Sequence, residues 1–226
     1  MSGGSTRLGR VRTIGILGGL VLAALGSPAP ASAACGGVEH FSPVASRGEG
    51  PPPLAIGDSI MLGAIEPIRR AGLELDVRGC RPFSEGLSVM RARRRSHSLP
   101  DIVVLGLGTN WTVTTSQIRA GLQIAGPRRV LGLVTPRETG GVASSDQRVI
   151  REAGRRWPRR VKVLDWVSYS VGHSNWFWSD GLHLQPRGAR ALARLLRQAF
   201  TWELPGTVTE IEPIGTDGGG VGAGGS

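Results

Sequence analysis

The chain has 226 residues with a formal net charge of +10, and 40% of its residues are hydrophobic. That length suffices for one domain with a sizeable core. The charge is spread over helix ends and loops without interleaved aromatic residues, so it excludes an evident nucleic-acid-binding surface and favours a solvated surface with loose attraction to an anionic cell envelope.

The first 33 residues predict a signal peptide. A segment with three arginines (residues 7–12) precedes the apolar run 14–25, which is too short to span a bilayer, and the small residues 31–33 form a cleavage site. An uncleaved N-terminal anchor is the alternative. Because cleavage there follows export, we expect the protein to be secreted or held in the cell envelope.

The segment 34–50 has no periodic pattern and is interpreted as a linker. It contains Cys35, and Cys80 is the only other cysteine of the chain. Because the exported protein meets an oxidising compartment, we expect a disulfide that ties the mature N-terminus to the loop carrying Cys80. Two free thiols are the alternative.

Strands and helices alternate in the domain predicted over residues 51–202. The predicted strands are 54–56, 73–77, 102–107, 130–134 and 161–165. The predicted helices are 60–71, 84–95, 117–125, 144–157 and 187–201. This alternation predicts an α/β fold in which a parallel sheet has helices on both sides. Apolar and acidic residues alternate in 73–77, which predicts a half-exposed strand near the sheet edge.

The remaining residues offer no further site. Residues 203–226 are rich in glycine and predict a disordered tail. The four histidines and two cysteines show no metal-ligand spacing, so we expect no metal and no other cofactor.

Ser59 lies where a buried strand turns into a helix, at the end of the sequence Ile56-Gly57-Asp58-Ser59. A serine at such a turn is held at the end of a sheet, where backbone N–H groups can stabilise an oxyanion. Taken alone, however, the segment favours ordinary helix capping by aspartate or serine.

Two distant segments change that interpretation. Gly108-Thr109-Asn110 follows a second predicted strand, and Asp180-Gly181-Leu182-His183 precedes the last helix. Ligands of parallel sheets bind beyond the carboxyl ends of strands, which is where Ser59 and Asn110 lie. The ordered set Gly-Asp-Ser, Gly-x-Asn and Asp-x-x-His resembles the SGNH (GDSL-like) hydrolase family from about Leu54 to Trp202.

This resemblance implies a flavodoxin-like α/β/α fold with a five-stranded parallel sheet, and the chemistry of a serine esterase. Ser59 would be the nucleophile and His183 the general base. Asp180 would orient the imidazole and stabilise its charged form.

The resemblance also implies an oxyanion hole. The side-chain amide of Asn110 and the backbone N–H of Ser59 would contribute to it. The third donor would be the backbone N–H of Gly79, or that of Cys80 if the chain is aligned with relatives that carry a Gly-Arg pair.

Within the family, the resemblance is strongest to the esterase domains of bacterial cell-wall O-acetyltransferases, and it rests on residues 79–81, 84–87, 108–110 and 176–184. It implies a short acyl ester as the substrate, in particular an O-acetyl group on carbohydrate. The sequence shows no multi-pass membrane region to deliver an acyl donor, so we expect a free-standing, monomeric hydrolase. An O-acyltransferase and a non-catalytic envelope-binding domain are the alternatives.

Four residues beside these motifs are candidates for substrate contact: Asp58, Trp111, Trp176 and Trp178. The tryptophans of the segment 176–178 would form a wall for a sugar or an acyl group. An equally good interpretation is that they pack their loop against the core.

Overall fold

The computed structural model describes residues 1, 35–48, 50–138 and 145–206. The predicted signal peptide, apart from Met1, and the predicted tail beyond residue 206 lie outside the described residues, so both stay predictions. Among the described residues, no helix has both the length and the hydrophobicity that a membrane span requires.

A six-stranded sheet forms the centre of the fold. Its strands are β1 (Glu39–Phe41), β2 (Leu54–Gly57), β3 (Glu74–Val77), β4 (Ile102–Gly106), β5 (Val130–Val134) and β6 (Val161–Leu164). The spatial order is β1-β3-β2-β4-β5-β6, and every pairing is parallel except that of β1 with β3. The α/β class is confirmed. The predicted sheet of five parallel strands is corrected, because a sixth strand, β1, pairs with it antiparallel at one edge.

That edge strand, β1, lies within the segment 34–50, so the interpretation of this whole segment as a linker is wrong. In the β1–β3 register, His40 is the partner of Asp76, and its Nδ1 lies 3.1 Å from the carboxylate. A strand of three residues is too short to show a hydrophobic period. Its place in the sheet is set by contacts with residues far along the chain.

The predicted position of β3 at the sheet edge is also wrong. Strand β1 covers the edge of β3, and the side chains of Leu75, Asp76 and Val77 are buried. The alternating pattern predicted that the side chain of Asp76 is exposed to solvent. Instead, its carboxylate lies 2.7 Å from the guanidinium of Arg81, which is itself fully buried. A buried ion pair therefore takes the place of hydration at this position.

Helices cover both faces of the sheet. The α-helices of the described residues are α1 (Ser59–Leu62), α2 (Ile65–Ala71), α3 (Phe83–Arg95), α4 (Thr115–Ala125), α5 (Ser145–Arg156), α6 (Trp166–Tyr169) and α7 (Pro186–Leu196). The single helix predicted over 60–71 is instead two helices, because the chain breaks at Gly63. Pro67 consequently lies in the first turn of α2, where a missing N–H loses no intrahelical bond.

Two hydrophobic cores lie on opposite faces of the sheet, and β2 contributes to both. Ala55 packs with residues of α2 and α7, whereas Leu54 and Ile56 pack with residues of α3, α4 and α5. All three side chains are fully buried, as expected for a central strand that is covered on both sides. This packing fixes the carboxyl end of β2, and with it the start of α1, at the rim of the sheet.

Candidate active site

Ser59 is the first residue of α1 and follows β2 after one intervening residue, Asp58. Asp58 caps the helix, since its carboxylate accepts the N–H of Ile60 at 3.0 Å. The turn is tight because Gly57 has no side chain: a Cβ there would lie 2.4 Å from Sδ of Met61. Ser59 is only 7% exposed, so its hydroxyl is held in a fixed position at the rim.

The structure brings His183 and Asp180 to Ser59. The Nε2 atom of His183 lies 3.1 Å from Oγ of Ser59, and its Nδ1 lies 2.7 Å from Oδ2 of Asp180. A carboxylate at Nδ1 favours a proton on that nitrogen, which leaves the lone pair of Nε2 facing the hydroxyl. The three side chains are therefore arranged so that the hydroxyl proton can pass to the imidazole.

The carboxylate of Asp180 also holds its own loop. Its Oδ1 accepts the backbone N–H groups of Leu182 at 2.8 Å and His183 at 3.0 Å. Partial burial alone would raise the pKa of Asp180, but these bonds and the imidazole outweigh it and lower the pKa below its ordinary value. The group is therefore ionised at neutral pH and can stabilise an imidazolium.

Asn110 is joined to the turn that carries Ser59. Its Nδ2 donates to Oδ2 of Asp58 at 3.2 Å. This bond uses one of the two N–H groups of the amide and directs the side chain toward the turn. The second N–H is the one that would donate to an oxyanion.

The prediction that Asp58 contacts a substrate is corrected, because this residue is fully buried. Burial raises the pKa of its carboxyl group from 3.8 to about 6, while hydrogen bonds from the N–H of Ile60 and the side chain of Thr109 act in the opposite direction. Asp58 therefore positions the start of α1 and the amide of Asn110 from below the site.

The loop after β3 carries both predicted backbone donors, Gly79 and Cys80. Cys80 has a φ of 52°, a left-handed conformation that is uncommon for a residue other than glycine. Cys80 and Cys35 form the predicted disulfide, which is confirmed, with their Cα atoms 5.1 Å apart. The loop also contacts the Ser59 turn, since the N–H of Arg78 donates to the carbonyl of Gly57 at 3.2 Å. Both Gly79 and Cys80 stay predicted oxyanion donors.

Arg81 is a residue of this region that sequence reasoning missed. Its Nη1 donates to the carbonyls of Asp76 at 2.6 Å and Gly57 at 3.4 Å, in addition to the ion pair with the Asp76 carboxylate. The guanidinium thus connects the ends of β2 and β3 beneath the site. The aspartate in the middle of strand β3 was the available signal, because a buried carboxylate requires a nearby cation.

A second arginine, Arg137, anchors the loop of Asp180 and His183. Its Nε donates to the carbonyl of Gly181 at 2.7 Å, its Nη1 donates to Oγ of Ser170 at 3.2 Å, and its Cζ lies 4.2 Å from the ring centre of Phe177. The residue follows β5 in a segment without a recognisable motif, which is why the sequence did not reveal it.

The predicted aromatic contacts fall into two groups. Trp176 stacks on the rings of His173, with centroids 3.9 Å apart, and Trp166, at 5.8 Å. Its ring is engaged with the protein itself, and its contact with a substrate stays a prediction. Trp111 and Trp178 are 56% and 57% exposed and stay candidates for that role.

An apolar pocket adjoins the site, and its empty space is ≈ 360 Å³ when the part open to solvent is included. Its walls come from α1, from the segments after β4 and β5, and from the loop before His183. Residues that line it include Ile60, Thr109, Pro136 and Leu182. Such a lining suits a small apolar group, for example the methyl group of an acyl ester.

No protein-family model matches the chain. It is 30% identical over 149 residues to the putative peptidoglycan O-acetyltransferase YrhL of Bacillus subtilis, and 33% identical over 146 residues to the peptidoglycan O-acetyltransferase OatA of Listeria monocytogenes. These matches cover 65% and 63% of this chain. The chain spans only 23% of the length of either relative.

Among solved structures, the C-terminal catalytic domain of OatA from Streptococcus pneumoniae, with a methylsulfonyl adduct, is similar with a TM-score of 0.60. The match covers 68% of this chain and 94% of that domain at 20% sequence identity. This likeness establishes a shared fold.

Proposed function

We propose that the chain is a member of the SGNH hydrolase family and an extracytoplasmic serine esterase that removes short acyl groups, in particular O-acetyl groups, from carbohydrate. The observation that carries this proposal is the hydrogen-bonded series from Ser59 through His183 to Asp180, with distances of 3.1 and 2.7 Å. The names of the relatives, which refer to O-acetyl transfer and peptidoglycan, support acetyl as the acyl unit and a cell-wall sugar as its carrier.

The first half of the reaction forms an acyl-enzyme. Oγ of Ser59 attacks the acyl carbon while Nε2 of His183 takes the hydroxyl proton, and Asp180 stabilises the resulting imidazolium. The oxyanion accepts the second N–H of Asn110 and backbone N–H groups at the start of α1 and in the Gly79 loop. When the tetrahedral intermediate collapses, the imidazolium returns the proton to the departing sugar oxygen.

In the second half, water attacks the acyl group on Ser59. His183 takes a proton from that water, the same oxyanion donors act again, and the carboxylic acid leaves as the serine hydroxyl is restored. The exposed side chains of Trp111 and Trp178 lie on segments next to Asn110 and Asp180, where they would contact the sugar that carries the ester.

An O-acyltransferase is the second candidate, and the names of both curated relatives favour it. The two reactions share the acyl-enzyme and differ only in whether water or a sugar hydroxyl accepts the acyl group. Product analysis separates them: the purified protein is incubated with para-nitrophenyl acetate and an oligosaccharide acceptor, and free acetate is compared with acetylated sugar.

The Ser59→Ala variant tests the shared chemistry. We expect the hydrolysis of para-nitrophenyl acetate to fall by about a thousandfold or more, since the nucleophile is lost while the oxyanion donors remain. The matched control is Ser88→Ala on α3, an exposed serine whose hydroxyl donates only to the carbonyl of Ser84. An inactive wild type, a Ser59→Ala variant as active as the wild type, or a Ser59 that a fluorophosphonate probe does not label would favour the non-catalytic alternative.

A further inference from the structure

Helix α7 carries a row of arginines on its exposed side. Arg187, Arg190 and Arg194 are spaced by three and four residues, which places them within about 60° of arc on the helix surface. Arg197, the C-cap residue, continues the row, and all four side chains are exposed. These four residues are called the α7 row below.

Among the described residues (35–48, 50–138 and 145–206), no side chain of the α7 row forms a hydrogen bond or an ion pair. Helix α7 itself contains no acidic residue, and it packs against α2. The acid of α2, Glu66, is already paired with Arg69 at 3.3 Å and Arg70 at 2.8 Å.

This arrangement lowers the stability of the helix that contains it. Arginines three and four positions apart repel each other, and Arg187 lies in the first turn, where the helix dipole favours a negative charge. The opposite face of α7 is buried in the core through residues such as Ala189, Leu192 and Leu196, so the helix cannot insert its apolar face into a lipid bilayer. An anion that binds along the row would relieve the repulsion.

The α7 row begins four residues after His183 in the chain. His183 precedes the first residue of the helix, Pro186, by three positions, and Arg187 is the second helical residue. From there the row extends for about 15 Å along the helix. A polymer bound along it would therefore have one part of its length next to Ser59 and His183.

We propose that the α7 row binds a linear polyanionic carbohydrate of the cell envelope and leads its acylated residues to Ser59. This inference rests on the proposed esterase function and adds the charge and the shape of the substrate. Arginine pairs bidentately with carboxylate and phosphate groups, and a row of them suits a chain with regularly repeated anions. No aromatic residue interrupts the row between Arg187 and Arg197, so it has no platform on which nucleic-acid bases would stack.

The test uses polygalacturonate, a linear polymer of carboxylated sugars, as the probe. Its binding to the purified protein is measured by isothermal titration at about 50 and about 200 mM salt, beside neutral dextran and single-stranded DNA. The R187Q/R190Q/R194Q/R197Q variant is compared with R91Q/R95Q/R128Q/R159Q, which removes the same charge from four other exposed arginines. Circular dichroism verifies that both variants are folded.

We expect salt-sensitive binding by the wild type, a loss of tenfold or more in the α7-row variant, and a smaller change in the control. Equal losses in both variants, no binding by the wild type, or tighter binding of DNA would each overturn the inference. Hydrolysis of para-nitrophenyl acetate by the wild type reports the proposed function separately, because it needs no polymer. A wild type that hydrolyses the small ester without binding the polymer defeats this inference alone, and one that binds without hydrolysis defeats the esterase proposal.

Discussion

The two sides of the Ser59–His183 contact are held by different parts of the fold. Ser59 is 7% exposed and follows a central strand, and the side chains beneath it, Asp58 and Arg81, are fully buried. The side chains of His183 and Asp180 are 32% and 40% exposed and lie on a loop before α7. The position of the proposed nucleophile therefore depends on the stability of the whole domain, whereas that of the proposed base depends on a few local hydrogen bonds.

Removing the disulfide tests how much this crosslink contributes to the stability of the domain that holds Ser59. The bridge joins residues separated by 45 positions. In the chain-entropy model, the C35A/C80A variant should lose about 4 kcal/mol of unfolding free energy, or about a thousandfold in the unfolding equilibrium. Urea denaturation measures this loss, and an unchanged midpoint would contradict it.

The Asn110→Ala variant tests whether the part of the site around Ser59 takes part in the reaction and does not only stabilise the fold. Asn110→Ala removes a proposed oxyanion donor, so we expect kcat for para-nitrophenyl acetate to fall about a hundredfold or more with little change in KM. Thr112→Ala, an exposed substitution in the same segment, is the control. If the two variants are equally active, the amide does not contact the oxyanion.

The pH dependence of the unfolding free energy tests whether the pKa of Asp58 is raised in the folded protein. Burial raises its pKa from 3.8 to about 6, so the folded protein holds this proton over a range in which the unfolded chain has released it. Unfolding free energy should therefore decrease as pH rises from about 4 to 6, by about 3 kcal/mol from this group. Asp58→Asn has no such proton and should lack that decrease.

Unfolding curves of both proteins at several pH values between about 4 and 7 measure the difference in slope. Asp165 acts in the opposite direction. Although burial opposes its ionisation, hydrogen bonds from Arg151 and Ser168 lower its pKa from 3.8 to about 2, so the stability that it contributes is lost as pH falls below about 5. Because both proteins contain Asp165, this loss cancels in the difference between their slopes. Equal slopes in the wild type and in Asp58→Asn would mean that the pKa of Asp58 is not raised in the folded protein.

The smallest effect on activity and stability is expected from a substitution that loosens the exposed loop of Asp180 and His183. Arg137→Ala removes the donor to the carbonyl of Gly181, which should lower kcat/KM about tenfold while unfolding free energy changes by less than about 1 kcal/mol. Arg137→Lys keeps the charge without the two-pronged geometry and should recover only part of the activity. The control is Arg148→Ala, an exposed arginine on α5. A loss of stability as large as that of the disulfide variant would remove the contrast between the two sides.

Local patterns were sufficient to predict the positions of Ser59 and Asn110. Both follow short apolar strands, and parallel strands end at the same rim of a sheet, so their proximity follows from the order of elements alone. The helix predicted over 117–125 instead begins at Thr115, where the side chains of Thr114 and Gln117 form a capping box.

Long-range contacts explain what the sequence did not reveal. Asp76 appeared solvent-exposed because its partners, His40 and Arg81, belong to other elements, and only the folded chain brings the three together. The same holds for Trp176, whose contact with Trp166 depends on how two turns pack. Burial of a polar or aromatic side chain is decided by tertiary packing, which short patterns do not encode.

The contact between Ser59 and His183 joins residues 124 positions apart. During translation, the ribosome therefore makes the hydroxyl long before the imidazole, and a nascent or truncated chain that ends before residue 183 has a serine with no base. Under the proposed mechanism, such a fragment cannot deacylate anything that it meets. Reactivity therefore begins only after residue 183 has been made and its imidazole has folded against Ser59.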